Sequence, residues 1–406
     1  MMDCWPVHNL VDVTDLITCG VAKRPNYVDS GIPFLSAKNV KNGMIIWNGY
    51  QYITKQDHDE LTKNNKPTRG DILYTRVGSF GEAAIVDSDE EFSVFVSLTL
   101  IKPKHDILYN RFLKYYLNSS EVKQLAKSSI SGSGVGNLNV GTVRKFPIPL
   151  PPIPEQQRIV AILDQAFADI DKARANAEQN LKNARELFDS YLQQVFSQRG
   201  EGWVETPLAE CLELITYGFT NPMPAVEDGP WMVTAKNVID GQVDYTTARH
   251  TSRDAFENLL TDKSRPRLGD VLLTKDGTLG RLAVVEQTDI CVNQSVAVLR
   301  PNEKVGSHFL RLLLSSPDYQ KKMIGNAGGA TIKHIYITRV DKMLVTYPTC
   351  HAEQQRIVER VLAFVRQSQR ITSIYKEKLT ALEELKKSLL QKAFSGELTK
   401  SKDIAA

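Results

Sequence analysis

Glu155-Gln156-Gln157-Arg158-Ile159-Val160 occurs twice in this chain, the second time as Glu353-Gln354-Gln355-Arg356-Ile357-Val358. Residues 155–198, which begin with the first copy, contain neither proline nor glycine. Two identical six-residue segments 198 positions apart indicate an internal duplication. The sequence therefore predicts two matched halves, each with a long helix that begins at this motif.

Apolar residues after each motif follow a coiled-coil pattern. In the first half they recur in steps of four and three residues, at positions 159, 163, 166, 170, 173, 177, 181, 184, 188, 191 and 195. The same positions plus 198 are mostly apolar in the second half, apart from Ser368 and Lys386, and both series have a stutter near position 177 or its counterpart. At about 1.5 Å per residue each helix is roughly 65 Å long and must bury this seam. We expect two long helices, within residues 155–199 and 353–406, that pack against each other antiparallel.

Two further repeats lie in the segments that precede the helices. Residues 36–40 (Ser-Ala-Lys-Asn-Val) recur as residues 234–238 (Thr-Ala-Lys-Asn-Val), and residues 70–81 recur as residues 269–280. Three repeats in the same order exclude chance similarity, although the sequence between them has diverged. We predict two globular domains of the α+β (mixed α/β) class, residues 1–154 and 200–352, related by a pseudo-twofold.

Within each domain, alternating runs and glycines predict the elements. Residues 70–86 contain short β-prone runs with glycine turns, and one strand is expected at 92–101 and one at 290–300. A helix is expected near 109–127 and near 306–324, followed by glycine-rich loops at 131–137 and 325–331. The proline-rich segment 147–154 cannot be helix or central strand, and we interpret it as an extended, stiff hinge.

The composition excludes several classes of protein. The 406 residues are 42% hydrophobic and 24% charged, as in globular proteins. No apolar run approaches 18 residues and the first residues lack a basic-then-apolar pattern, so neither a membrane span nor a secretory signal is predicted. The five cysteines include no C-x-x-C pair, which argues against a disulfide framework and a structural zinc site. We expect a cytoplasmic protein.

Net charge gives little information about partners. Fifty basic and 47 acidic residues leave a charge of +3, too small an excess to indicate nucleic-acid binding alone. The tail from Lys376 to Lys402 is basic, and it is either a solvated helix face or charge that flanks DNA.

The long-helix motifs give the chain a resemblance to a known family, the specificity (S) subunits of type I restriction–modification systems. The resemblance covers essentially the whole chain and is carried by residues 149–160 and by the closing segment 389–398. One departure is that residues 347–352, before the second motif, contain one proline, whereas residues 147–154 contain five.

This resemblance implies a function and a set of partners. The globular parts would be target-recognition domains that each read one half of a bipartite sequence in double-stranded DNA, and the helices would be the spacer between half-sites. Two modification (methyltransferase) subunits would dock around the spacer and bring S-adenosylmethionine for adenine methylation. Restriction subunits would bring ATP and Mg for translocation and cleavage. The S subunit would have no catalytic activity and no cofactor of its own.

Candidate DNA contacts fall into a shared and a divergent set. The shared set includes the repeated pairs Lys38-Asn39 and Lys236-Asn237, which are either DNA contacts or scaffold. It also includes Arg76 and Lys275, which lie beside glycine turns where a phosphate could approach. Sequence readout is expected where the halves differ, because Asn, Gln, Lys and similar side chains read base edges. These divergent candidates are Ser79, Asn137, Asn139, Asp276, Asn293, Gln294, Lys333, His334 and Tyr336.

The repeated motif itself supplies candidate partner-docking residues. An acidic first turn suits a helix dipole, so the motif could simply start a helix. Two identical copies are also what docking of two partner subunits would need. The residues concerned are Gln156, Gln157, Arg158, Gln354, Gln355 and Arg356.

No catalytic or metal motif is complete in the sequence. The loop at 131–137 lacks the Gly-Lys-Ser/Thr ending of a P-loop. Asn221-Pro222-Met223-Pro224 lacks the aromatic residue of an adenine-methyltransferase loop, and Pro317-Asp318 has no Glu-x-Lys partner of a nuclease. The alternative from another class is a coiled-coil scaffold that assembles proteins without reading DNA.

Overall fold

The computed structural model of the chain describes residues 5–20, 25–78, 80–130, 136–325 and 333–400. Contacts divide the chain into two compact units. The first unit is Met1–Ala177 with Glu377–Ala406, and the second unit is Glu178–Lys376. Both boundaries fall inside a long helix, so each unit contains one globular part and a piece of each helix.

The first unit is built from short strands and helices. Its strands are β1 Val7–Asn9, β2 Thr14–Cys19, β3 Tyr27–Val28, β4 Ile32–Leu35, β5 Val40–Lys41, β6 Met44–Ile45, β7 Gln51–Ile53, β8 Ile72–Thr75, β9 Ala83–Ile85, β10 Ser93–Val94, β11 Leu98–Pro103 and β12 Pro147–Pro149. Its helices are α1 Lys55–Leu61, α2 Asn110–Leu117, α3 Ser120–Ser128, α4 Val140–Arg144 and the first part of α5 Ile153–Ser197.

Two four-stranded sheets organise this unit. One has the order β2-β11-β8-β9 with antiparallel neighbours, and the other has the order β10-β4-β7-β3. All four residues of β8 are buried because apolar side chains cover both faces of the sheet. One core on these faces holds Phe112, Phe146 and Ile159, so α2 and the start of α5 pack on it.

The second unit repeats this plan. Its strands are β13 Trp203–Pro207, β14 Leu212–Tyr217, β15 Ala225–Val233, β16 Val238–Ile239, β17 Gln242–Val243, β18 Arg249–Thr251, β19 Val271–Thr274, β20 Leu282–Val284, β21 Ile290–Val292, β22 Val296–Pro301 and β23 Leu344–Pro348. Its helices are the rest of α5, α6 Arg253–Asn258, α7 Ser307–Ser315, α8 Pro317–Gly325, α9 Ile337–Val340 and the first part of α10 His351–Ser395. The sheet β14-β22-β19-β20 matches β2-β11-β8-β9, which confirms the predicted duplication.

The two long helices have 45 residues each and pack antiparallel within each unit. In the first unit Arg174 pairs with Glu383, and the Asp171 carboxylate lies 3.8 Å from Lys386 Nζ. From the first pair to the second, the residue number on α5 falls by three and the number on α10 rises by three, so the two helices run in opposite directions. The ammonium of Lys386 also lies 4.8 Å from the centroid of the Phe167 ring, which explains how a charged residue occupies a seam position.

The predicted seam is largely confirmed. Ile159, Leu163, Ile170 and Ala177 are buried as expected. Position 166 is half-buried and its neighbour Phe167 is buried instead, positions 173, 181, 188 and 191 are also half-buried, and Ile371 in the second series is exposed. In the second unit Leu192 and Val361 belong to one core.

Each single strand and each single helix expected in the two domains is in fact a pair, so these predictions were wrong in detail. The segment 92–101 forms β10 and β11 in different sheets, and a turn closed by Leu98 N and Phe95 O (2.9 Å) separates them. The helix expected at 109–127 breaks before α3, where the Ser119 hydroxyl accepts a hydrogen bond from Val122 N. The helix expected at 306–324 breaks at Pro317, which occupies the first position of α8.

The proline-rich segment is also more ordered than predicted. Residues of β12 pair antiparallel with β1, so part of the expected hinge is an edge strand. The helix α5 begins at Ile153 and includes Pro154, because the first turn of a helix does not use its N–H groups. The glycine-rich loops lie mostly outside the described residues, and Gly136 and Asn137 are the described part of the first one.

Among the described residues no helix is long and apolar enough to cross a lipid bilayer.

His58, the buried residue of α1, predicts a pH dependence of stability. Its Nδ1 lies 2.9 Å from Ser93 Oγ, and its Nε2 has no hydrogen-bond partner among the described residues. Burial, with a smaller effect of the Lys55 charge, lowers the pKa of His58. As the pH falls below the ordinary histidine pKa of about 6.5, the unfolded chain therefore binds a proton that the folded chain resists, and the first unit loses stability.

The second unit supplies the matched variant for this prediction. At the corresponding positions Phe256 and Cys291 pack in one apolar cluster. We expect the double variant His58→Phe, Ser93→Cys to flatten the loss of stability below about pH 6.5, measured by urea unfolding at several pH values. An unchanged pH profile would show that His58 does not cause the acid sensitivity.

Candidate nucleic-acid interface

The repeated Gly-Asp at the start of β8 and β19 anchors the sheet. The Asp270 carboxylate accepts two hydrogen bonds from the Arg300 guanidinium, at 2.9 and 2.8 Å, and one from Arg267 N. In the first unit Asp71 pairs with Lys102 in the same way. These carboxylates are almost fully buried, so this part of the repeat is scaffold.

The turn that follows each of these strands is exposed and glycine-rich. Gly78 and Gly277 have φ angles of 78° and 77°, which favour glycine, and a Cβ at either position would meet nothing within 4 Å. Another molecule can therefore approach the backbone closely at both turns. Ser79, a predicted contact in the first turn, lies outside the described residues.

Arg76, at the end of β8, connects three segments. Its Nε donates to Leu138 O, its Nη1 donates to Val96 O and its Nη2 donates to Asn137 Oδ1, each at 2.9 Å. Three of the five N–H groups of a guanidinium are thereby used inside the protein, and the residue is only 8% exposed. Arg76 thus positions Asn137 and the turn before β11, and we do not assign it to phosphate contact.

The second unit has the same backbone hydrogen bond between the corresponding segments, but its side chains there are different. Ile335 N donates to Lys275 O at 2.9 Å, as Leu138 N does to Arg76 O. The carboxylate of Asp276 accepts hydrogen bonds from Lys275 Nζ at 2.8 Å and from His334 Nδ1. Burial alone would raise the pKa of Asp276, but the hydrogen bonds from Lys275 and His334 outweigh it and lower the pKa.

The repeated Lys-Asn pairs divide into one buried and one exposed residue. Asn39 is 1% exposed, accepts a hydrogen bond from Ser36 N at 3.1 Å, and donates to Ile46 O and Asn48 O. Asn237 accepts from Thr234 N in the same way. Both asparagines close a short 3-10 turn, whereas Lys38 and Lys236 are exposed at the tip of that turn.

Ser97, which the sequence analysis missed, connects this 3-10 turn to Arg76. The Ser97 hydroxyl accepts a hydrogen bond from Ala37 N, and Ser97 O accepts from Arg76 N, each at 3.0 Å. Ser295 makes the same two contacts, with Ala235 N and Lys275 N. The sequence signal that could have identified them is that both halves have serine at the same place, at positions 97 and 295, which are 198 residues apart.

Each unit thus brings most of its predicted contacts to one face. Asn293 is used internally, since its Oδ1 accepts from Ser295 N and Oγ, while Gln294 is exposed. Asn139 caps α4 by accepting from Gly141 N and stays exposed. The predicted residues that are exposed are Lys38, Asn137, Asn139, Lys236, Gln294, Lys333 and Tyr336, with His334 partly exposed.

The first glutamine of each helix motif is a structural residue. Gln156 Oε1 accepts from Tyr109 N, and its Nε2 donates to Ile107 O and Pro151 O, all at 2.8 Å. Gln354 makes the same three contacts with Gly306 N, Lys304 O and Pro348 O. Both side chains are buried, so they hold the loop before α2 or α7 onto the start of the long helix.

The other motif residues are exposed. Gln157, Arg158, Gln355 and Arg356 all lie on the surface, and Arg356 pairs with Glu353 at 3.0 Å. They remain available to a docking partner. Over the described ranges no group of three or more His, Cys, Asp or Glu side chains could hold a metal ion.

Comparison with known proteins assigns the fold and the family. The model of the family described as type I restriction modification DNA specificity domain matches residues 2–179 and 224–381. The EcoBI specificity subunit of Escherichia coli is 27% identical over 319 residues, which cover 72% of this chain and 66% of that protein. The EcoKI specificity subunit of Escherichia coli K12 is 21% identical over 97% of this chain and 89% of that protein.

Solved structures share the same fold at low identity. A chain from a structure described as the basis of complex assembly and conformational transition of the type I R-M system superposes with a TM-score of 0.79 at 19% identity, over 98% of this chain and 99% of that chain. The HsdS subunit from Thermoanaerobacter tengcongensis gives a TM-score of 0.59 at 18% identity, over 98% of both chains. With the family model matched in both halves, this chain belongs to the type I restriction–modification DNA specificity family, whose members are non-catalytic recognition subunits.

Proposed function

We propose that each globular part reads one half of a bipartite sequence in double-stranded DNA. The observation that carries this proposal is a shared backbone frame with different side chains. Arg76 and Asn137 occupy positions that Lys275 and His334 occupy in the second unit, although the backbone hydrogen bonds between these segments are the same. A fixed frame with variable polar side chains is what two readers of different half-sites require.

The exposed members of each face are the proposed DNA contacts. Amide side chains such as Asn137 and Gln294 suit adenine edges, while Lys38, Lys236 and Lys333 suit phosphates or guanine. The Asp276 carboxylate holds His334 in one orientation, so a base contact by His334 would be preorganised. Buried Asn39, Asn237 and Arg76 are the supporting frame in this proposal.

The proposed partners follow from the family. Two modification subunits would dock near the exposed residues of the helix motifs, Gln157, Arg158, Gln355 and Arg356, and bring S-adenosylmethionine for adenine methylation. Restriction subunits would bring ATP and Mg. The long helices would set the spacing of the two half-sites, and the complex would act in the cytoplasm.

Modified-base sequencing tests this function. A methylation-free host would express the modification subunit with and without this chain. We expect a bipartite adenine-methylated motif that is present only when this chain is present. Methylation that is unchanged without the chain would favour the protein scaffold, once pull-down had shown that the complex assembles.

A further inference from the structure

Asn137 and His334 occupy the same backbone position in the two units. Asn137 forms an isolated antiparallel β-bridge with Val77, and His334 forms the same kind of bridge with Asp276. Each bridge lies next to the open glycine turn of its unit, so another molecule can approach both positions. Asn137 is exposed and the His334 side chain is 41% exposed. Both side chains are therefore accessible to DNA, and they differ in chemistry.

The partner of Asn137 fixes the orientation of its amide. Arg76 Nη2 donates to Asn137 Oδ1 at 2.9 Å, and a guanidinium can only donate, so the amide atom that faces it must be the oxygen. Because Arg76 is buried, this oxygen faces the protein. Within the described ranges Nδ2 has no hydrogen-bond partner. The group that Asn137 offers to DNA is therefore a hydrogen-bond donor.

The partner of His334 gives that residue the opposite polarity. Burial opposes ionisation of Asp276, but the hydrogen bonds from Lys275 and His334 lower the pKa of Asp276, so its carboxylate is ionised and can only accept. The proton of the neutral imidazole is then on Nδ1, and Nε2 is an acceptor. Lys275 Nζ, 2.8 Å from Asp276 Oδ2, already supplies the counter-ion, so the carboxylate does not require a charged imidazole.

A donor and an acceptor select different classes of base. In the major groove guanine and thymine have a carbonyl oxygen where adenine and cytosine have an amino group. A donor suits the carbonyl oxygen of a keto base, and an acceptor suits the amino group of an amino base. The reverse combinations place two donors or two acceptors against each other, which leaves polar groups unpaired.

We propose that Asn137 selects a keto base in the half-site of the first unit and that His334 selects an amino base in the half-site of the second unit. The inference rests on the proposed function and names the base class that each position takes. Arg76 and Asp276 are positioning residues, because they fix which atom of their neighbour faces the DNA and do not themselves contact a base.

The first test reverses the polarity of Asn137. The complex of this chain with its modification subunits would methylate a library of duplexes in which both halves of the wild-type motif are randomised. The variant Asn137→Asp keeps the shape of the side chain and an oxygen for Arg76, but it turns the outward donor into an acceptor. The control Asn64→Asp makes the same change at an exposed residue of the first unit outside the proposed contacts.

We expect Asn137→Asp to change one base pair in one half of the motif. At that pair an amino base replaces a keto base on one strand, and the preference for the wild-type base falls by about tenfold or more. The other half of the motif stays as in the wild type, and so does the thermal unfolding midpoint of the chain. The control keeps the wild-type motif.

The second unit supplies an independent variant. Asp276→Asn introduces an amide that can accept from the imidazole or donate to it, so Nε2 is no longer fixed as an acceptor. We expect the pair that His334 reads to accept keto and amino bases alike, with the rest of the motif unchanged. Replacing the amino group of that base by hydrogen should weaken binding of the wild-type complex by about tenfold, and binding of the His334→Ala complex far less.

Several results would overturn the inference. A motif that is unchanged in folded Asn137→Asp or Asp276→Asn, or an exchange within one class, such as guanine for thymine, would contradict it. Equal losses of affinity for the wild type and His334→Ala on removal of the amino group would also contradict it. These results leave a bipartite motif in the wild type and thus spare the proposed function, whereas a wild-type complex without such a motif would refute that function.

Discussion

Asp270→Asn is expected to destabilise the second unit by about 3–5 kcal/mol. Asp270 is 2% exposed, and its carboxylate is the partner of the largely buried Arg300 guanidinium through two hydrogen bonds. The isosteric amide leaves the shape intact but leaves the arginine charge buried without a counter-charge. Urea unfolding followed by tryptophan fluorescence, with Trp203 and Trp231 as reporters in this unit, measures the loss.

The first unit provides the control for this substitution. Asp71→Asn removes the equivalent carboxylate, but its partner Lys102 is more exposed (24% against 12% for Arg300) and can reach water. We expect a smaller loss there. A second control, Arg300→Met added to Asp270→Asn, should recover part of the stability because it removes the unpaired charge. Equal losses for Asp71→Asn and Asp270→Asn would contradict this account of the buried pair.

Gln354→Ala is the second large effect, with an expected loss of about 2–4 kcal/mol. The substitution leaves Gly306 N, Lys304 O and Pro348 O without their side-chain partner in a buried place. Unfolding in urea again measures the effect, and Gln156→Ala should give a similar loss in the first unit. The matched control Gln355→Ala, one residue away and exposed, should stay within about 0.5 kcal/mol of the wild type.

The same pair of variants separates structure from docking. If Gln355 and Arg356 contact a modification subunit, Gln355→Ala and Arg356→Ala weaken complex assembly in pull-down while the isolated chain keeps its stability. Gln354→Ala with full stability would show that the three buried hydrogen bonds are dispensable. That result would contradict the structural role of the first glutamine.

Much of the fold could be predicted because it repeats. The apolar seam from Ile159 onwards gives the long helices, since a helix of that length must bury one face. The turns at 95–97 and 293–295 could not be predicted, because apolar strand residues lie on both sides of each turn. The strands before and after each turn belong to different sheets, and hydrophobic periodicity contains no information on which sheet a strand joins. The break at Ser119 has a capping signal, but a serine within an apolar pattern is common.

The candidate site was predicted at the level of segments and less well at the level of side chains. Lys38 and Asn39 are adjacent in sequence, yet one is exposed and the other is buried with its amide fully engaged. Gln156 and Gln157 differ in the same way, and the decisive partners of Gln156 lie nearly 50 residues away, at Ile107 and Tyr109. Such burial depends on tertiary contacts that local pattern does not contain.

The central claim, that each unit reads one half-site, is tested most directly by modified-base sequencing of two loop variants. One variant carries Lys333→Ala, His334→Ala and Tyr336→Ala, and the other carries Asn137→Ala and Asn139→Ala. Each would be expressed with the modification subunit in a methylation-free host. We predict that each variant changes or relaxes one half of the methylated motif, a different half in each case, and leaves the other half as in the wild type. A motif that stays intact in both variants, or two halves that change together, would contradict the claim.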